Sequence, residues 1–280
     1  TGANNSKVEW NHKIPIAGAL NIPKIDLPFP PYTLGVWLGD GHSRCAQITL
    51  HETDQEVIDA IISDGIPVMN KECARQGETI TISLTNGDRT QKARNNSVQA
   101  RLRSLNLINN KHIPDIYKRA SLDQRLELLR GLMDSDGYVS KAGQCEFTTI
   151  KRGLADDVYE LITSVGLKCK ITTETSRLYG KDCGLKYRLM FWAYNNTKLF
   201  NLTRKQNRLK QQPKTITRNK YRQIVSIEPV KSVPVRCIQV DSKSRLYLAS
   251  RAMIPTHNTT FAAAISLYMM TTDKEEGAEV

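Results

Sequence analysis

The sequence is short of acidic residues, and this shortage narrows the classes of protein it can belong to. Lys and Arg number 40 against 28 Asp and Glu, which gives a formal net charge of +12 and a pI near 9.4. This balance excludes an acidic disordered tail and an ordinary acidic enzyme. A surplus of this size on a chain with 40% hydrophobic residues predicts a polyanionic partner, with nucleic acid first and a membrane surface second. Charge that serves solubility alone is the remaining alternative.

Paired cysteines and long hydrophobic stretches are also lacking. No cysteine stands in a C-x-x-C pair, so we expect reduced core thiols of an intracellular protein. The N-terminal TGANNSKVEW lacks the apolar part of a signal peptide, and FAAAISLYMM (261–270) is about half a membrane span. We therefore expect a soluble protein without a membrane partner. The six cysteines are Cys45, Cys73, Cys145, Cys169, Cys183 and Cys237.

Residues 1–30 are Pro-rich and aperiodic, which predicts an extended, unpacked linker that ends near Pro31. Helix and strand patterns alternate after it, and the first helix ends at Asp40. Thr53 and Glu56 have the spacing of a capping box at the start of the second helix. The predicted elements are helix 32–39, strand 44–50, helix 53–65, strand 78–84 and helix 95–107.

The second half of the chain repeats this order of elements. Superposing Asp40 on Asp136 makes the junctions between strands and helices coincide. The repeat predicts an α+β fold built from a duplicated αββαββα unit, with a first half at about 31–110 and a second half at about 111–212. The predicted elements of the second half are helix 124–137, strand 144–150, helix 152–166, strands 167–175 and 185–193, and helix 197–210.

Small residues recur four apart on the two helices that open the halves, Gly35 and Gly39 on one and Gly131 and Ser135 on the other. Residues four apart lie on the same side of a helix, so each helix has one side almost without side chains. Two such sides can pack backbone against backbone. We therefore predict that these two helices pack directly against each other.

Asp40 and Asp136 stand where these helices end, each followed by a glycine. Gly41 and Gly137 are expected to end the helices in the left-handed conformation. A carboxylate is unfavourable at the negative end of a helix dipole, and two carboxylates side by side repel each other. A divalent cation would relieve both costs, and Mg²⁺ combines one or two carboxylates with phosphate oxygens. The alternative is that Asp-Gly merely makes a common turn.

LGVWLGDG (34–41) and LRGLMDSDG (129–137) resemble the two motifs of LAGLIDADG homing endonucleases, and residues 31–212 follow that family's layout. The resemblance implies a monomer with pseudo-twofold symmetry, in which the paired helices join two halves. Each half would present a saddle-shaped sheet to double-stranded DNA. Asp40 and Asp136 would bind Mg²⁺, and each would cut one strand.

The same resemblance points to two assisting lysines. Lys111 stands where the family has its lysine before the second motif, and Lys205 is the proposed counterpart in the other half. Each would stabilise the charged phosphate or orient the attacking water. The alternative for both is a phosphate-contacting or solvated surface lysine.

The DNA-binding surface is expected on the strands, where alternate side chains point the same way. A register error of one residue would exchange the bound face for the buried face. Side chains with donors suited to base edges and phosphates are Arg44, Gln47 and Thr49 in the first half, and Arg177, Lys186 and Arg188 in the second.

The stretch VRCIQVDSKSRLYLASRAMIPTHNTT (235–260) resembles the end of an intein, a self-excising protein segment. The resemblance implies an all-β, Hint-type splicing segment over 213–258, followed by a C-extein over 259–280. The side-chain amide of Asn258 would attack its own carbonyl and cut the bond to Thr259. His257 would assist by a hydrogen bond or proton, and the Thr259 hydroxyl would accept the N-extein. This chemistry needs no cofactor.

The sequence departs from the intein pattern in two places. Arg245 stands where many inteins have a histidine, so cyclisation of Asn258 is expected to be slow or to use another polar group. Nothing before residue 31 resembles the start of an intein. We therefore expect a fragment, or the C-terminal partner of a split system, that works with an N-terminal intein and N-extein portion outside this chain.

The predicted host follows from residues 259–280, which resemble the helix after the P-loop in a phage terminase large subunit. That host would place the protein in the cytoplasm of a bacterial or phage-infected cell. The resulting hypothesis is a homing endonuclease that makes a Mg²⁺-dependent double-strand cut at an intein-less allele, joined to C-terminal splicing chemistry. The alternatives are a splicing intein with a decayed, DNA-binding nuclease, and a non-cleaving LAGLIDADG DNA-binding protein.

Overall fold

A computed structural model describes residues 12–70, 78–85, 87–178, 181–215, 218–231, 233–234, 238 and 240–257. The described chain opens with β1 (Lys13–Pro15) and then has no helix or strand up to the first helix. This segment is packed, since the Leu20 amide donates to the Ser164 carbonyl at 2.9 Å and Phe29 is only 1% exposed. The described part of the predicted linker therefore differs from the unpacked lead-in that the sequence suggested.

The first half contains an antiparallel three-stranded sheet in the order β2-β4-β3. Ile48 lies opposite Ile82 in the register of β2 and β4, and both side chains are buried. Gly41 forms an isolated antiparallel bridge with Ile48 at the edge of this sheet. The elements are α1 (Pro31–Asp40), β2 (Gln47–His51), α2 (Gln55–Ser63), β3 (Met69–Asn70), β4 (Thr79–Ser83), α3 (Gln91–Asn95) and α4 (Val98–Ser104).

The second half contains an antiparallel four-stranded sheet in the order β5-β6-β8-β7. Its part β6-β8-β7 has the same spatial order as β2-β4-β3, and each sheet follows its half's long inner helix. This agreement supports the duplication, which stays a prediction. The elements are α5 (Asp115–Lys118), α6 (Leu122–Ser135), β5 (Gly137–Val139), β6 (Gln144–Thr149), α7 (Arg152–Ser164), β7 (Cys169–Leu178), β8 (Lys181–Trp192) and α8 (Thr203–Gln206).

Helices α1 and α6 pack backbone against backbone, which confirms the prediction from the small residues. A Cβ on Gly35 would lie 2.2 Å from the Leu128 carbonyl oxygen, and one on Gly131 would lie 2.1 Å from the Tyr32 carbonyl oxygen. Such distances are far inside van der Waals contact. Glycine is therefore required at both positions for the two helices to approach this closely.

The glycines after the two helices have a different role from the predicted one. Gly41 has φ −73°, and neither Gly41 nor Gly137 adopts the left-handed conformation, so that prediction is wrong. A Cβ on Gly41 would lie 2.2 Å from the Trp37 carbonyl oxygen, and one on Gly137 would lie 2.5 Å from the backbone of Met133. Close packing against the last helical turn, rather than φ, requires glycine here.

The predicted capping box at the start of α2 is also wrong. The N-cap is Asp54, and no side chain caps the helix. The Glu56 carboxylate instead accepts a hydrogen bond from the Thr203 amide at 3.0 Å, and Asp54 pairs with Arg204 at 2.7 Å. These acidic side chains therefore connect the first half to α8 of the second half.

The hydrophobic core runs without interruption through both halves, between the two sheets and the helices that cover them. Of the cysteines predicted to be core residues, Cys145 and Cys169 are buried, and burial raises the pKa of each thiol to about 12. Cys45 is half-buried and Cys183 is exposed, so the prediction holds for only part of the set. Cys73 and Cys237 lie outside the described residues.

The C-terminal region forms short antiparallel strand pairs in the residues that the structure describes. β9 (Tyr221–Gln223) follows a 3-10 turn at Arg218–Lys220 and pairs with β1. β10 (Tyr247–Ala249) pairs with β11 (Ile254–Thr256). The all-β, Hint-type fold over 213–258 stays a prediction. Within the described ranges, no helix is long and apolar enough to cross a membrane.

Candidate active site

Two carboxyl groups meet where the packed helices end. Asp40 is the last residue of α1, and Asp136 caps the C-terminus of α6. Because the glycines bring the helix backbones together, the two carboxyl groups come close enough to share a hydrogen bond. Asp40 is half-buried and Asp136 is exposed. The pair is therefore open to a ligand on one side.

The carboxyl pair has perturbed acidity. Burial, followed by the nearby charge of Asp136 and the hydrogen bond with it, raises the pKa of Asp40 to about 7. Although Asp136 is exposed as a whole residue, the protein atoms packed around its carboxyl group reduce the hydration of that group and raise its pKa, while the charge of Lys111 and the hydrogen bond with Asp40 oppose the rise. Two carboxylates this close repel each other when both are ionised, and a cation between them would relieve this repulsion.

The side chain of Lys111 lies at the C-terminal end of α1. Its Nζ donates to the Gly39 carbonyl at 2.8 Å and lies 5.4 Å from the centre of the Trp37 ring. Burial lowers the pKa of Lys111 to about 8, against the opposing charges of Asp136 and Asp40. An ammonium at a helix C-terminus offsets the negative end of the dipole. The contact joins Lys111 to the helix of the first half, although the predicted boundary placed it in the second.

Lys205 occupies the corresponding place at the end of α6. Its Nζ donates to the carbonyl oxygens of Asp134 at 2.6 Å and Gly137 at 2.7 Å, with those of Met133 and Ser135 also in reach. Burial lowers the pKa of Lys205 to about 8. Each of the two helices therefore ends on its own half-buried lysine beside the carboxyl pair. The catalytic roles of both lysines stay predictions.

Asp134 is a site residue that the sequence argument missed. Its buried carboxylate accepts hydrogen bonds from the Tyr32 hydroxyl at 2.9 Å and from the amides of Asn201 and Leu202 at 3.0–3.1 Å. These amides lead directly into α8, which carries Lys205. Asp134 therefore positions that lysine. The available signal was a carboxylate where the other repeat has Leu38.

The donor set around the pair fits Mg²⁺. Asp40 and Asp136 supply hard carboxylate oxygens on an open side of the molecule, and Mg²⁺ is typically held by one or two carboxylates together with water and substrate phosphates. Among the described residues, no group of three or more His, Cys, Asp and Glu side chains could enclose a metal by itself. The residues present therefore suit a cation that is shared with a phosphate.

The predicted DNA-contacting residues of the first half share one face of its sheet. Gln47 and Thr49 alternate on β2 with the buried Ile48, as the predicted register requires. The Thr49 hydroxyl lies 3.2 Å from that of Thr81 on β4. Arg44 is exposed just before β2. Beside one arginine, this face presents hydroxyl and amide groups and, at the end of β2, His51, which lies 3.0 Å from the carboxylate of Glu78.

The corresponding face of the second half is charged. Lys186 and Arg188 lie on the same side of β8, and both form ion pairs with carboxylates. The sequence alone did not predict these ion pairs. Arg188 pairs with Glu146 at 2.5 Å and Glu174 at 3.5 Å, and Lys186 lies 3.5 Å from Glu174. Arg177 is exposed toward the end of β7. Donors and acceptors therefore alternate across this surface.

The predicted splicing residues lie at the end of the described chain. His257 is exposed directly after β11. Asn258 and Thr259 lie outside the described residues. Arg245, at the position where the resemblance to inteins led us to expect a histidine, has φ +54° in the turn before β10. The structure thus places the strand that leads to the predicted reaction site.

Comparisons with known proteins match the second half most directly. Residues 123–200 match the family model described as LAGLIDADG-like domain. The chain is 41% identical over 251 residues to the replicative DNA helicase DnaB of Mycobacterium intracellulare, which covers 89% of this chain and 38% of that protein. It is 60% identical over 37 residues to DnaB of Mycobacterium leprae (strain TN), covering 13% of this chain and 6% of that protein.

A third relative is an endonuclease. The homothallic switching endonuclease of Saccharomyces cerevisiae is 23% identical over 167 residues, covering 52% of this chain and 28% of that protein. The chain thus spans less than two fifths of each of these relatives, and none of them supports the expected terminase host. The chain contains a LAGLIDADG-like domain and is similar, over part of its length, to a homothallic switching endonuclease and to replicative DNA helicases.

Proposed function

We propose that this chain is the C-terminal part of an intein and carries a homing endonuclease that makes a Mg²⁺-dependent double-strand cut in DNA. The observation that supports this most strongly is the carboxyl pair of Asp40 and Asp136, held at the ends of two glycine-packed helices. A repulsive pair of this kind costs stability and suits a site that binds a cation.

Asp40 and Asp136 would hold Mg²⁺, which supplies charge neutralisation at a phosphate and a lowered pKa of bound water. Lys111 and Lys205 lie beside the pair, one at each helix end. Their ammonium groups would stabilise negative charge that develops on the phosphate oxygens. With pKa values near 8, both can also exchange a proton close to neutral pH. One carboxylate and one lysine for each half would serve one DNA strand each.

The sheets would supply the DNA-binding surface. Gln47 and Thr49 would offer donors and acceptors to base edges, and Arg44, Arg177, Lys186 and Arg188 would contact phosphates or bases. The basic surplus supports binding that weakens steeply with salt. We infer that the domain over 31–212 is a duplicated unit that acts as a monomer, with its two halves related by pseudo-twofold symmetry.

We propose a replicative helicase of a bacterium as the host, because 89% of this chain aligns with a DnaB protein. This proposal replaces the terminase and places the protein in the bacterial cytoplasm. Residues 213–258 would then be the C-terminal splicing segment and 259–280 the start of the C-extein. Asn258 would cyclise without a cofactor, with His257 assisting and Thr259 as acceptor, in concert with an N-terminal intein portion.

The test is linearisation of a plasmid that carries an uninterrupted dnaB gene. The wild-type chain should linearise it with Mg²⁺ and not with EDTA, whereas Asp136→Asn should not linearise it. Asp123→Asn is the matched control, since Asp123 is exposed in the first turn of the same helix. Binding without cutting by the wild type would favour the decayed nuclease, and equal cutting by Asp136→Asn would refute the carboxylate role.

A further inference from the structure

The outer face of α7 holds the hairpin that leads to the predicted splicing site. The turn between β10 and β11 is Ser250–Met253, and it lies directly against this helix. The Thr163 hydroxyl donates to the Arg251 carbonyl at 2.6 Å, and Met253 is only 8% exposed. Thr163 itself is 3% exposed. The contact is therefore buried and made by a helix of the LAGLIDADG-like domain.

Charged groups reinforce the same contact. The Arg251 guanidinium lies 3.0 Å from the Asp156 carboxylate and 3.9 Å from that of Glu160. Arg222 on β9 donates to the Ala252 carbonyl at 3.3 Å and to the Tyr159 hydroxyl at 3.4 Å. Side chains from α7 and β9 thus converge on one short turn. The Arg251 side chain is 55% exposed, so solvent partly screens its ion pairs and each contributes modestly.

The geometry of the turn depends on this support. Ser250 has φ +61° and Met253 has φ +51°, a left-handed conformation that costs a residue other than glycine about 1 kcal/mol. Such residues persist where the surrounding structure holds them. Only the three residues of β11 separate Met253 from His257, a distance along the strand of about 13 Å. The turn held by α7 therefore lies close to His257 along the chain.

We propose that α7 is a positioning element for the splicing chemistry, with Thr163 and Asp156 as its positioning residues. They hold the turn at Arg251, and the turn fixes His257 through β11. Neither residue is proposed to take part in the reaction itself. The inference rests on the proposed splicing function and goes beyond it, since it makes the nuclease domain a structural partner of splicing rather than a separable passenger.

The test follows release of residues 259–280 from the full chain by mass spectrometry. Thr163→Val keeps the shape of the side chain and removes the hydroxyl, and it should slow release about tenfold because misplaced reactive groups lose rate steeply. Thr163→Ser should restore the wild-type rate. Arg251→Met should also slow release, whereas Arg152→Met should not, since Arg152 is the other partner of Asp156 and does not contact the hairpin. DNA cutting should be unchanged in Thr163→Val.

A second readout separates this inference from the proposed function. Amide hydrogen exchange over 247–256 should quicken in Thr163→Val and Arg251→Met and stay unchanged in Arg152→Met. If Asn258→Ala releases residues 259–280 as fast as the wild type does, the succinimide mechanism is refuted. The exchange measurement then decides by itself whether α7 holds the hairpin. If Thr163→Val instead releases residues 259–280 at the normal rate through Asn258, and its amide exchange equals that of the wild type, the positioning role of α7 alone is refuted.

Discussion

The two halves share a scaffold and differ in the surface that the scaffold presents. In each half, a glycine-packed helix ends at an aspartate and on a half-buried lysine, and a sheet follows in which three strands have the same order. The sheet of the first half exposes hydroxyl and amide groups, whereas that of the second exposes carboxylates and cations already paired with each other. Under the proposed function, the symmetric part would perform the chemistry and the divergent part would select the DNA.

Asp134 adds a second asymmetry. It connects Tyr32 of the first half to the segment before α8 in the second, and the first half has Leu38 at the equivalent repeat position. The lysine of the second half is thus held by a buried carboxylate that the other lysine lacks. The two lysines are therefore expected to tolerate damage to their surroundings differently.

The largest expected loss of stability in the scaffold that the two halves share comes from Gly131→Ala. The added Cβ would collide with the Tyr32 carbonyl and force α1 and α6 apart, so we expect a loss of about 3 kcal/mol in the free energy of unfolding. Urea titration measures it. Gly153→Ala on α7 is the control, because its Cβ would meet nothing within 4 Å and should be neutral or stabilising.

Replacing one lysine tests whether each half serves one strand. Lys205→Met and Lys111→Met should each slow cutting of one strand about 100-fold, as loss of a group that stabilises transition-state charge does. Supercoiled plasmid should therefore accumulate as the nicked form, and end-labelling should show opposite nicked strands for the two variants. Equal loss on both strands would argue for one shared centre instead.

The repulsion within the carboxyl pair can be measured as stability. In the folded protein the pKa of Asp40 is about 7, above its ordinary value of 3.8. A raised carboxyl pKa destabilises the folded state increasingly as pH rises from about 4 to about 7. Asp40→Asn should therefore stabilise the metal-free protein at pH 8 by about 1–2 kcal/mol and give no gain below pH 4. Thermal melts in EDTA measure this, with Asp123→Asn as control.

Two substitutions with smaller expected effects test the difference between the sheet surfaces of the two halves. Arg188→Gln removes a cation and should lower the slope of log affinity against log salt by about 1, whereas Thr49→Val should leave that slope unchanged. Thr49→Val should instead weaken binding only for the cognate sequence. Fluorescence anisotropy at several salt concentrations distinguishes the two. Identical salt slopes for both variants would contradict a charged second surface.

The sequence is sufficient to predict features that depend on local spacing. Glycines four apart gave the packed helices, and alternation along β2 gave the exposed face of Gln47 and Thr49. The conformation of Gly41 was not predictable in this way, because glycine meets a demand for space as well as a demand for positive φ. Local spacing also suggested a capping box at Thr53, where the structure has none.

Features that join distant parts of the chain escaped the sequence argument. Glu56 and Thr203 lie 147 residues apart, and Asp134 and Asn201 lie 67 apart, so no local pattern pairs them. The carboxylates that pair with Arg188 come from the two strands that flank β8, and only the register of the sheet brings them together. These contacts determine how the halves and their surfaces are held.

The central claim is that the carboxyl pair of Asp40 and Asp136 cuts both strands of DNA with Mg²⁺. The most direct measurement is strand-resolved cleavage of an uninterrupted dnaB gene by the wild type, Asp40→Asn and Asp136→Asn. The account predicts a double-strand cut by the wild type that requires Mg²⁺, and its loss in both variants with DNA binding retained. Undiminished double-strand cutting by either variant, or cutting by the wild type in EDTA, would contradict it.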